Sequence, residues 1–272
     1  MRPTGVEVTR RALLAGVGLA CTSCGSLPDV PSVAPGRRLS GVLTSQARGG
    51  LRCGWTIAWP PGRRRGLPVV VVLHGRGNDH ASAFSSDYLA LDRYLARAVG
   101  LGTPPYALAG IDGGEAYWHA RADGDDPAAM VVDELLPLLS RHGLDTGRLG
   151  FLGWSMGGYG ALHLGGVLGP SRVAAVAAMS PALWHEYADS APGAFDDAAD
   201  LAANTVLGRQ SDLDGVAVRV DCGDGDPFAP VTRDYRAGFD VPPAGGIEPG
   251  DHELAYWRRL AGQELAFLGA HL

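Results

Sequence analysis

A serine with glycines close on both sides is the first candidate for chemistry in this chain. Ser155 lies in Gly-Trp-Ser-Met-Gly-Gly, residues 153–158, where an apolar stretch ends and a segment with helical spacing begins. A G-x-S-x-G pattern at the turn from a strand into a helix exposes the serine hydroxyl and aims the amino end of the helix at it. The chain holds 40 glycines in 272 residues, so the pattern alone could arise by chance. It predicts a nucleophile only if suitable partners exist elsewhere.

The partners of such a serine are a base and an acid that orients the base, because a serine hydroxyl is a weak nucleophile at neutral pH. In this type of site the acid and then the histidine follow the serine along the chain. The last two histidines are His252 and His271, and His271 is the penultimate residue, so we expect His252 to be the base. Asp226 is the expected acid because it lies further into its loop than its main rival, Asp224. Asp221 is assigned to the strand before that loop.

Two backbone N–H donors must bind the negative charge that develops on an attacked carbonyl oxygen. Met156, the residue after the nucleophile, is expected to supply one of them. The second is expected from the loop after an early buried strand, where the sequence reads Leu-His-Gly-Arg-Gly, and Arg76 is the predicted donor. We interpret His74 in the same loop as a structural residue that holds the loop in place.

Strands and helices alternate along most of the chain. Runs that predict strands lie at residues 50–62, 67–75, 105–112, 148–155, 172–182 and 216–223, with a weaker one near Val241. The first reads as an edge strand, and the continuous β-branched runs predict strands buried on both faces of a parallel sheet. Segments with helical spacing lie at residues 86–100, 126–143, 157–169 and 231–239, and a last helix is expected from Glu253. Asp126 is the predicted cap of the second of these helices.

This alternation predicts one α/β domain with a doubly wound, mostly parallel sheet flanked by helices. The stretch from residue 184 to residue 214 is too long for a plain connection. We expect it to form a lid or a wall of the binding pocket.

The joint pattern resembles the α/β-hydrolase fold, and within it the branch of esterase D, the S-formylglutathione hydrolases and the secreted mycolyltransferases. The resemblance covers residues 40–272 and rests on the segments LHGRG, IDGGEAYWHARADGDDP, GWSMGGYGAL, CGDGDPF and GDHELAYWRRLAGQELAFL. It implies that Ser155, Asp226 and His252 form a catalytic triad. It also implies that the amides of Arg76 and Met156 hold the oxyanion.

The activity implied by this resemblance is hydrolysis of carboxylic esters, small or lipid, through an acyl-enzyme. One alternative is an acyltransferase that passes the acyl group to a sugar or lipid alcohol, and another is a binding protein that has lost catalysis. Trp154 stands where many relatives carry histidine or another polar residue, so we expect it to shape the pocket beside the serine. Tyr117, Trp118 and Trp184 are interpreted as walls for an acyl or alcohol group, or equally as core.

No metal and no other cofactor is expected. Residues 112–126 are rich in potential ligands, but their spacing fits neither a calcium loop nor a zinc site. These ligands are Asp112, Glu115, His119, Asp123, Asp125 and Asp126. Outside the first thirty residues the cysteines are Cys53 and Cys222, which either pair in an oxidising compartment or remain two buried thiols.

The first twenty residues have the pattern of an export signal of the twin-arginine type. Arg10 and Arg11 precede a short apolar stretch that ends before Cys21. The residues before this cysteine resemble a loose lipobox, in which case a lipid on Cys21 would attach the protein to a membrane. The alternative to an export signal is an ordinary helix after a basic start. A Pro-rich tether is then expected over 21–39, followed by a catalytic domain over 40–272.

The charge of the chain argues against nucleic acid as a partner. All 23 basic residues are arginine, and the formal net charge is −6. Residues 1–20 carry three arginines and one glutamate, so their removal takes the net charge to about −8. An acidic chain without a basic stripe does not suit a polyphosphate backbone. The sequence does not determine the oligomeric state.

Overall fold

The computed structural model describes residues 27–62 and 65–272. The predicted export signal over 1–20, and the predicted lipidation site Cys21, lie outside the described residues. Within the described part of the chain, none of the helices combines the length and apolar character needed to cross a bilayer.

An eight-stranded sheet forms the centre of the molecule, in the order β1-β2-β4-β3-β5-β6-β7-β8. The strands are β1 (Arg38–Ser45), β2 (Leu51–Ala58), β3 (Pro68–Leu73), β4 (Ala107–Ile111), β5 (Asp145–Trp154), β6 (Val173–Met179), β7 (Ala217–Gly223) and β8 (Ile247–Glu248). β1 pairs antiparallel with β2, and β2 pairs antiparallel with β4. All other pairs of neighbouring strands are parallel. The prediction of a mostly parallel sheet in a single α/β domain is confirmed.

Helices cover both faces of this sheet. They are α1 (Leu91–Gly100), α2 (Pro127–Ala129), α3 (Leu136–Arg141), α4 (Met156–Leu168), α5 (Ala198–Asn204), α6 (Ala229–Ala237) and α7 (Leu254–His271). A π-helical stretch, Met130–Leu135, joins α2 to α3. As predicted, Asp126 caps the start of α2, where its side chain accepts a hydrogen bond from the amide of Ala129.

Two apolar cores lie on opposite faces of the sheet, and the period-two alternation of β3 shows how one strand serves both. Val69 and Val71 pack into the core that α3 and α4 cover. Val70 and Val72 pack into the core that α1 and α7 cover. Burial on both faces explains why this run is continuously apolar.

The amino-terminal edge of the sheet differs from the sequence prediction. The predicted edge strand, β2, is second in the sheet, because β1 pairs along its outer side. β1 begins at Arg38, so the predicted boundary between residues 39 and 40 cuts through a strand. The described part of the predicted tether lies on α1, where the hydroxyl of Tyr94 donates to the carbonyl of Asp29 at 3.3 Å and Arg93 donates to the carbonyl of Val33 at 3.1 Å.

The weak strand predicted near Val241 is wrong. Val241 is exposed, and the next two residues are prolines, which have no N–H to donate to a ladder. The last strand of the sheet lies further on, at Ile247–Glu248. The first predicted helix also begins later than expected, at Leu91, because Ala90 has φ +50° and is not helical.

Helix α7 carries one acidic side chain into the core. Glu264 and Asp221 of β7 are both fully buried. Nε of Arg219 lies 2.7 Å from Oδ2 of Asp221 and 3.3 Å from Oε2 of Glu264. Burial, together with the neighbouring carboxylate of Asp221, raises the pKa of Glu264 well above its ordinary value.

Replacement of Glu264 by glutamine is expected to stabilise the protein at neutral pH. A carboxyl group whose folded pKa lies above its unfolded value near 4.5 contributes its full stability only below that value. That contribution is lost as the pH rises through the folded pKa. The amide cannot ionise, so the free energy of unfolding should increase by about 1–2 kcal/mol near neutral pH and converge with the wild type in acid. Denaturant titrations across this pH range measure the difference.

The matched control is Glu186→Gln, which changes an exposed glutamate in the same way. It should alter the free energy of unfolding by less than about 0.5 kcal/mol at any pH. If Glu264→Gln lowered stability at neutral pH, the ionised contact with Arg219 would be a net stabiliser and the expectation would be wrong.

Candidate active site

Ser155 lies at a sharp turn between β5 and α4 and has φ +55° and ψ −122°. A Cβ on Gly153 would lie 1.9 Å from the carbonyl oxygen of Gly157. A Cβ on Gly157 would lie equally close to the carbonyl oxygen of Leu73. Only glycine fits either position, so these two residues permit the approach of strand and helix. Met156 opens α4, and the amino end of that helix lies at the serine.

The structure brings the three predicted residues together. Nε2 of His252 lies 2.9 Å from Oγ of Ser155. Nδ1 of the same ring lies 2.8 Å from Oδ2 of Asp226. The result is a continuous hydrogen-bond chain from hydroxyl to imidazole to carboxylate, in the order that base-assisted nucleophilic attack requires.

Asp226, rather than its rivals, makes the contact with the imidazole. Its carboxylate is fully buried. Burial tends to raise the pKa of Asp226, but hydrogen bonds from His252 and from the amide of Phe228 outweigh it, and the pKa is lowered. Asp224 is exposed and accepts from the amide of Gly250 at 3.1 Å. Asp221 lies within β7, as predicted.

Two aromatic rings hold the imidazole from its sides. Phe228 contacts the ring of His252 at a centroid distance of 5.2 Å, and Trp257 of α7 contacts it at the same distance with the planes at 90°. The imidazole side chain is 25% exposed, so one edge remains open to a substrate. The sequence analysis missed both aromatic contacts. Phe228 is only two residues from Asp226, and that proximity was the available signal.

The loop after β3 contains the other predicted oxyanion donor. His74 is buried, its Nε2 accepts from the amide of Gly113 at 2.9 Å, and its Nδ1 donates to the carbonyl of Gly75 at 2.9 Å. Burial lowers the pKa of His74, consistent with a neutral ring that accepts at one nitrogen. The imidazole therefore joins this loop to the loop after β4, as a structural residue would. Arg76 follows in an exposed turn, with its guanidinium 3.0 Å from the carboxylate of Glu115.

Of the aromatic residues predicted to line the pocket, Trp184 is the partly exposed one. It contacts Phe228 at a centroid distance of 5.3 Å and Tyr117 at 5.6 Å. Since Phe228 also contacts His252, these rings form a continuous aromatic wall beside the imidazole. Tyr117 is 97% buried behind Trp184, so it supports this wall more than it exposes a surface.

Trp154 does not line a pocket, which corrects the prediction, and Trp118 belongs to the core, which decides between the two interpretations given for it. Both are fully buried. Trp118 packs edge-on to His74 at 5.2 Å and donates to its carbonyl at 3.4 Å. Trp154 belongs to the core on the α1 and α7 side and donates its indole N–H to Oδ1 of Asn78 at 3.1 Å. Residue 154 precedes Ser155 on a buried strand, so its side chain points away from the open edge of the site.

The 184–214 segment is fastened to the loop after β4. Arg121 donates to the carboxylate of Asp196 at 2.7 Å, and that carboxylate also accepts from the amide of the next residue, Ala122. His119 lies 3.2 Å from Asp200 of α5. The segment is thus a wall with fixed contacts rather than a free flap.

The acidic side chains of residues 112–126 also have protein partners. Asp112 accepts from the amides of Gly54 and His80, and Asp125 pairs with Arg48 at 2.6 Å. Within the described residues there is no group of three or more side chains arranged to hold a metal ion. In the same part of the chain Cys53 and Cys222 are free, buried thiols, which decides between the two alternatives for this pair.

Comparison with known proteins identifies the family and the fold. The Esterase family model matches residues 53–266. A ferulic acid esterase superposes with a TM-score of 0.74, at 21% identity, over 87% of this chain and 99% of its own. An S-formylglutathione hydrolase from Agrobacterium tumefaciens superposes with a TM-score of 0.70, at 18% identity, over 90% and 99%.

A third similar structure is the S-formylglutathione hydrolase FrmB from Staphylococcus aureus, with a TM-score of 0.68, 17% identity, and coverage of 86% and 98%. No curated protein sequence matches. At identities this low, the superpositions establish the α/β-hydrolase fold and no more. The family match spans most of the chain and shows which family it belongs to. The chain therefore belongs to the Esterase family and is a carboxylic ester hydrolase.

Proposed function

We propose that the chain is a serine esterase that hydrolyses carboxylic esters through an acyl-enzyme on Ser155. The observation that carries this proposal is the hydrogen-bond chain from Ser155 through His252 to the buried carboxylate of Asp226. The family membership supplies the reaction type, and the geometry supplies the residues for it.

In the acylation step, Oγ of Ser155 attacks the ester carbonyl carbon while Nε2 of His252 takes the hydroxyl proton. The ionised carboxylate of Asp226 stabilises the imidazolium that forms. The amides of Met156 and Arg76 hold the oxyanion of the tetrahedral intermediate. The intermediate collapses as His252 returns the proton to the leaving alcohol, and the acyl group remains on the serine.

In the deacylation step, a water molecule replaces the alcohol. His252 takes one proton from the water as its oxygen attacks the acyl carbon, and a second tetrahedral intermediate forms. Collapse of this intermediate breaks the bond to Oγ, which recovers the proton from His252. The products are the acid and the free enzyme, so no cofactor is consumed.

Two substitutions test the triad directly. Ser155→Ala should reduce kcat for 4-nitrophenyl acetate by at least about 10³-fold and abolish covalent labelling by a fluorophosphonate probe. Asp226→Asn should reduce kcat by about 10³–10⁴-fold, because an amide cannot hold the imidazole in the required tautomer or stabilise its charge. Initial rates and intact-mass spectrometry of the labelled protein provide both measurements.

Asp224→Asn is the matched control, since it makes the same change two residues away on an exposed side chain. It should leave kcat within about twofold of the wild type. Full ester hydrolysis by Ser155→Ala, or a label on another residue, would contradict the proposal. Equal losses in the two asparagine variants would contradict the assignment of the acid.

We further propose that Trp184 contacts the acyl group of the ester, because it is a partly exposed member of the aromatic wall beside His252. Trp184→Ala should raise KM about 5-fold for 4-nitrophenyl benzoate and octanoate, through loss of roughly 1 kcal/mol of apolar contact. KM for the acetate ester, whose acyl group offers only a methyl to the wall, should stay nearly constant and serves as the internal control. Equal effects on all three esters would contradict this role.

We also propose that the enzyme is exported and carries a lipid on Cys21. The support is the sequence of residues 1–21, with paired arginines, a short apolar stretch and a cysteine. When the full chain is produced in a bacterium with a twin-arginine pathway, the mature protein should begin at a diacylglyceryl-modified Cys21. Replacement of both Arg10 and Arg11 by lysine should leave it uncleaved in the cytoplasm. Mass spectrometry of the membrane fraction measures this, and an intact Met1 in the wild type would contradict export.

A further inference from the structure

The side chain of Asn78 lies where the nucleophile strand meets the loop of the predicted oxyanion donor. Nε1 of Trp154 donates to Oδ1 of Asn78 at 3.1 Å. The hydroxyl of Tyr88 donates to the same oxygen, also at 3.1 Å. The ring of Tyr88 also packs on the indole of Trp154, at a centroid distance of 5.9 Å. One amide oxygen thus joins a strand residue to a loop and to a third segment.

The chemistry of the indole fixes the orientation of this amide. An indole nitrogen can only donate, so the atom of Asn78 that faces Trp154 must be the carbonyl oxygen. Burial raises the pKa of Tyr88, although hydrogen bonds with Trp154 and Asn78 oppose this, so the phenol keeps its proton and can donate. A fully buried indole N–H without this acceptor would lose its hydration without a hydrogen bond in return, which is unfavourable.

The same contacts set the position of the loop relative to Ser155. The backbone N–H of Asn78 donates to the carbonyl of Gly75 at 3.1 Å, and this hydrogen bond closes the turn that contains Arg76. A Cβ on Gly75 would lie only 2.7 Å from Nε1 of Trp154, so the backbone of the loop rests directly on the indole edge. Trp154 is bonded to Ser155 through one peptide. Loop and nucleophile are therefore registered to each other through a single ring.

We propose that Trp154, Asn78 and Tyr88 are positioning residues that set the distance between the loop of residues 75–78 and the nucleophile, and thereby align the oxyanion donors. This inference rests on the function proposed above. It also assigns a role to the tryptophan at position 154, which acts from the core and not from the pocket. Trp154 is fully buried and therefore acts through the loop and the serine, without touching the substrate.

A shift of the loop should reduce the stabilisation of the transition state more than it reduces binding of the ester. Backbone donors bind the oxyanion only within a narrow range of distance, and a misplacement of about 1 Å can cost about 10²-fold in rate. The ground-state carbonyl carries less charge and depends less on the donors. The expected signature is a fall in kcat with KM unchanged.

The test compares Trp154→Phe, Asn78→Ala and the double variant with the wild type. Trp154→Phe removes the N–H and keeps an aromatic ring. Each single variant should lower kcat for 4-nitrophenyl acetate by at least 10-fold and leave KM within about twofold. Inhibition by 2,2,2-trifluoroacetophenone, which forms a charged hemiketal on the nucleophile, should weaken by a similar factor. The double variant should lose little more than either single one, because both remove the same contact.

Trp55→Phe is the matched control. Trp55 is buried in β2, and its indole N–H has no hydrogen-bond partner among residues 27–62 and 65–272. The same substitution there should leave kcat and inhibition unchanged. If Trp154→Phe does not fold, Tyr88→Phe replaces it as the test. This variant removes the hydroxyl that donates to Oδ1 of Asn78, and it should produce the same selective loss in kcat on a smaller scale.

Two outcomes would overturn the inference. One is a variant set with reduced thermal stability but unchanged kcat and inhibition, which would mean that the contacts only support the fold. The other is additive losses in the double variant, which would mean that the residues act separately. Absence of ester turnover in the wild type would instead contradict the proposed function, so the two failures are distinguishable.

Discussion

The left-handed backbone at Ser155 is the constraint on which the rest of this structure depends. A residue other than glycine whose backbone has φ +55° and ψ −122° has a conformational cost of about 1–3 kcal/mol, and surrounding contacts must hold it in that conformation. The amide of Ser155 donates to the carbonyl of Met179 in the neighbouring strand, and the carbonyl of Ser155 accepts from Ala182 and Tyr159. These bonds join the turn to β6 and α4, so the strained residue is fixed by the most buried part of the sheet.

The loops that carry Asp226 and His252, the other two members of the hydrogen-bond chain, are fixed to each other independently of Ser155. The loop after β7 donates backbone hydrogen bonds to the end of β8 and the loop after it, from Asp224 to Glu248 at 2.8 Å and from Gly225 to Gly250 at 2.9 Å. A Cβ on Gly223 would lie 2.2 Å from the carbonyl oxygen of Gly250, so these loops touch through their backbones. Asp226 and His252 are therefore positioned as one unit at the carboxyl edge of the sheet, where the strand order brings them to Ser155.

The positions of the three reactive residues were predictable from sequence because they depend on local signals and on chain order. The run 148–155, the helical segment after it, and the loops before Phe228 and Glu253 each show where a strand ends or a helix begins. Contacts across the chain leave no such signal. The oxygen that accepts from Trp154 belongs to Asn78, 76 positions earlier, and nothing in the local sequence pairs them. The prediction that Trp154 shapes the pocket rested on its place beside the serine and on the polar residue that many relatives carry there, and neither signal could reveal this contact.

The same limit applies to the segment 184–214, whose length indicated either a lid or a wall. Its contacts decide between these alternatives, because Asp196 accepts from both Arg121 and the amide of Ala122. That backbone hydrogen bond, with the guanidinium, lowers the pKa of Asp196, so the contact persists from neutral into mildly acidic solution and is lost only as the pH falls through this lowered value. Phe195, the residue before Asp196, is buried against Trp184. The partly exposed ring of Trp184 is thus held through Phe195 and the neighbouring contact between Asp196 and Arg121. The shape of the site is therefore set before an ester binds.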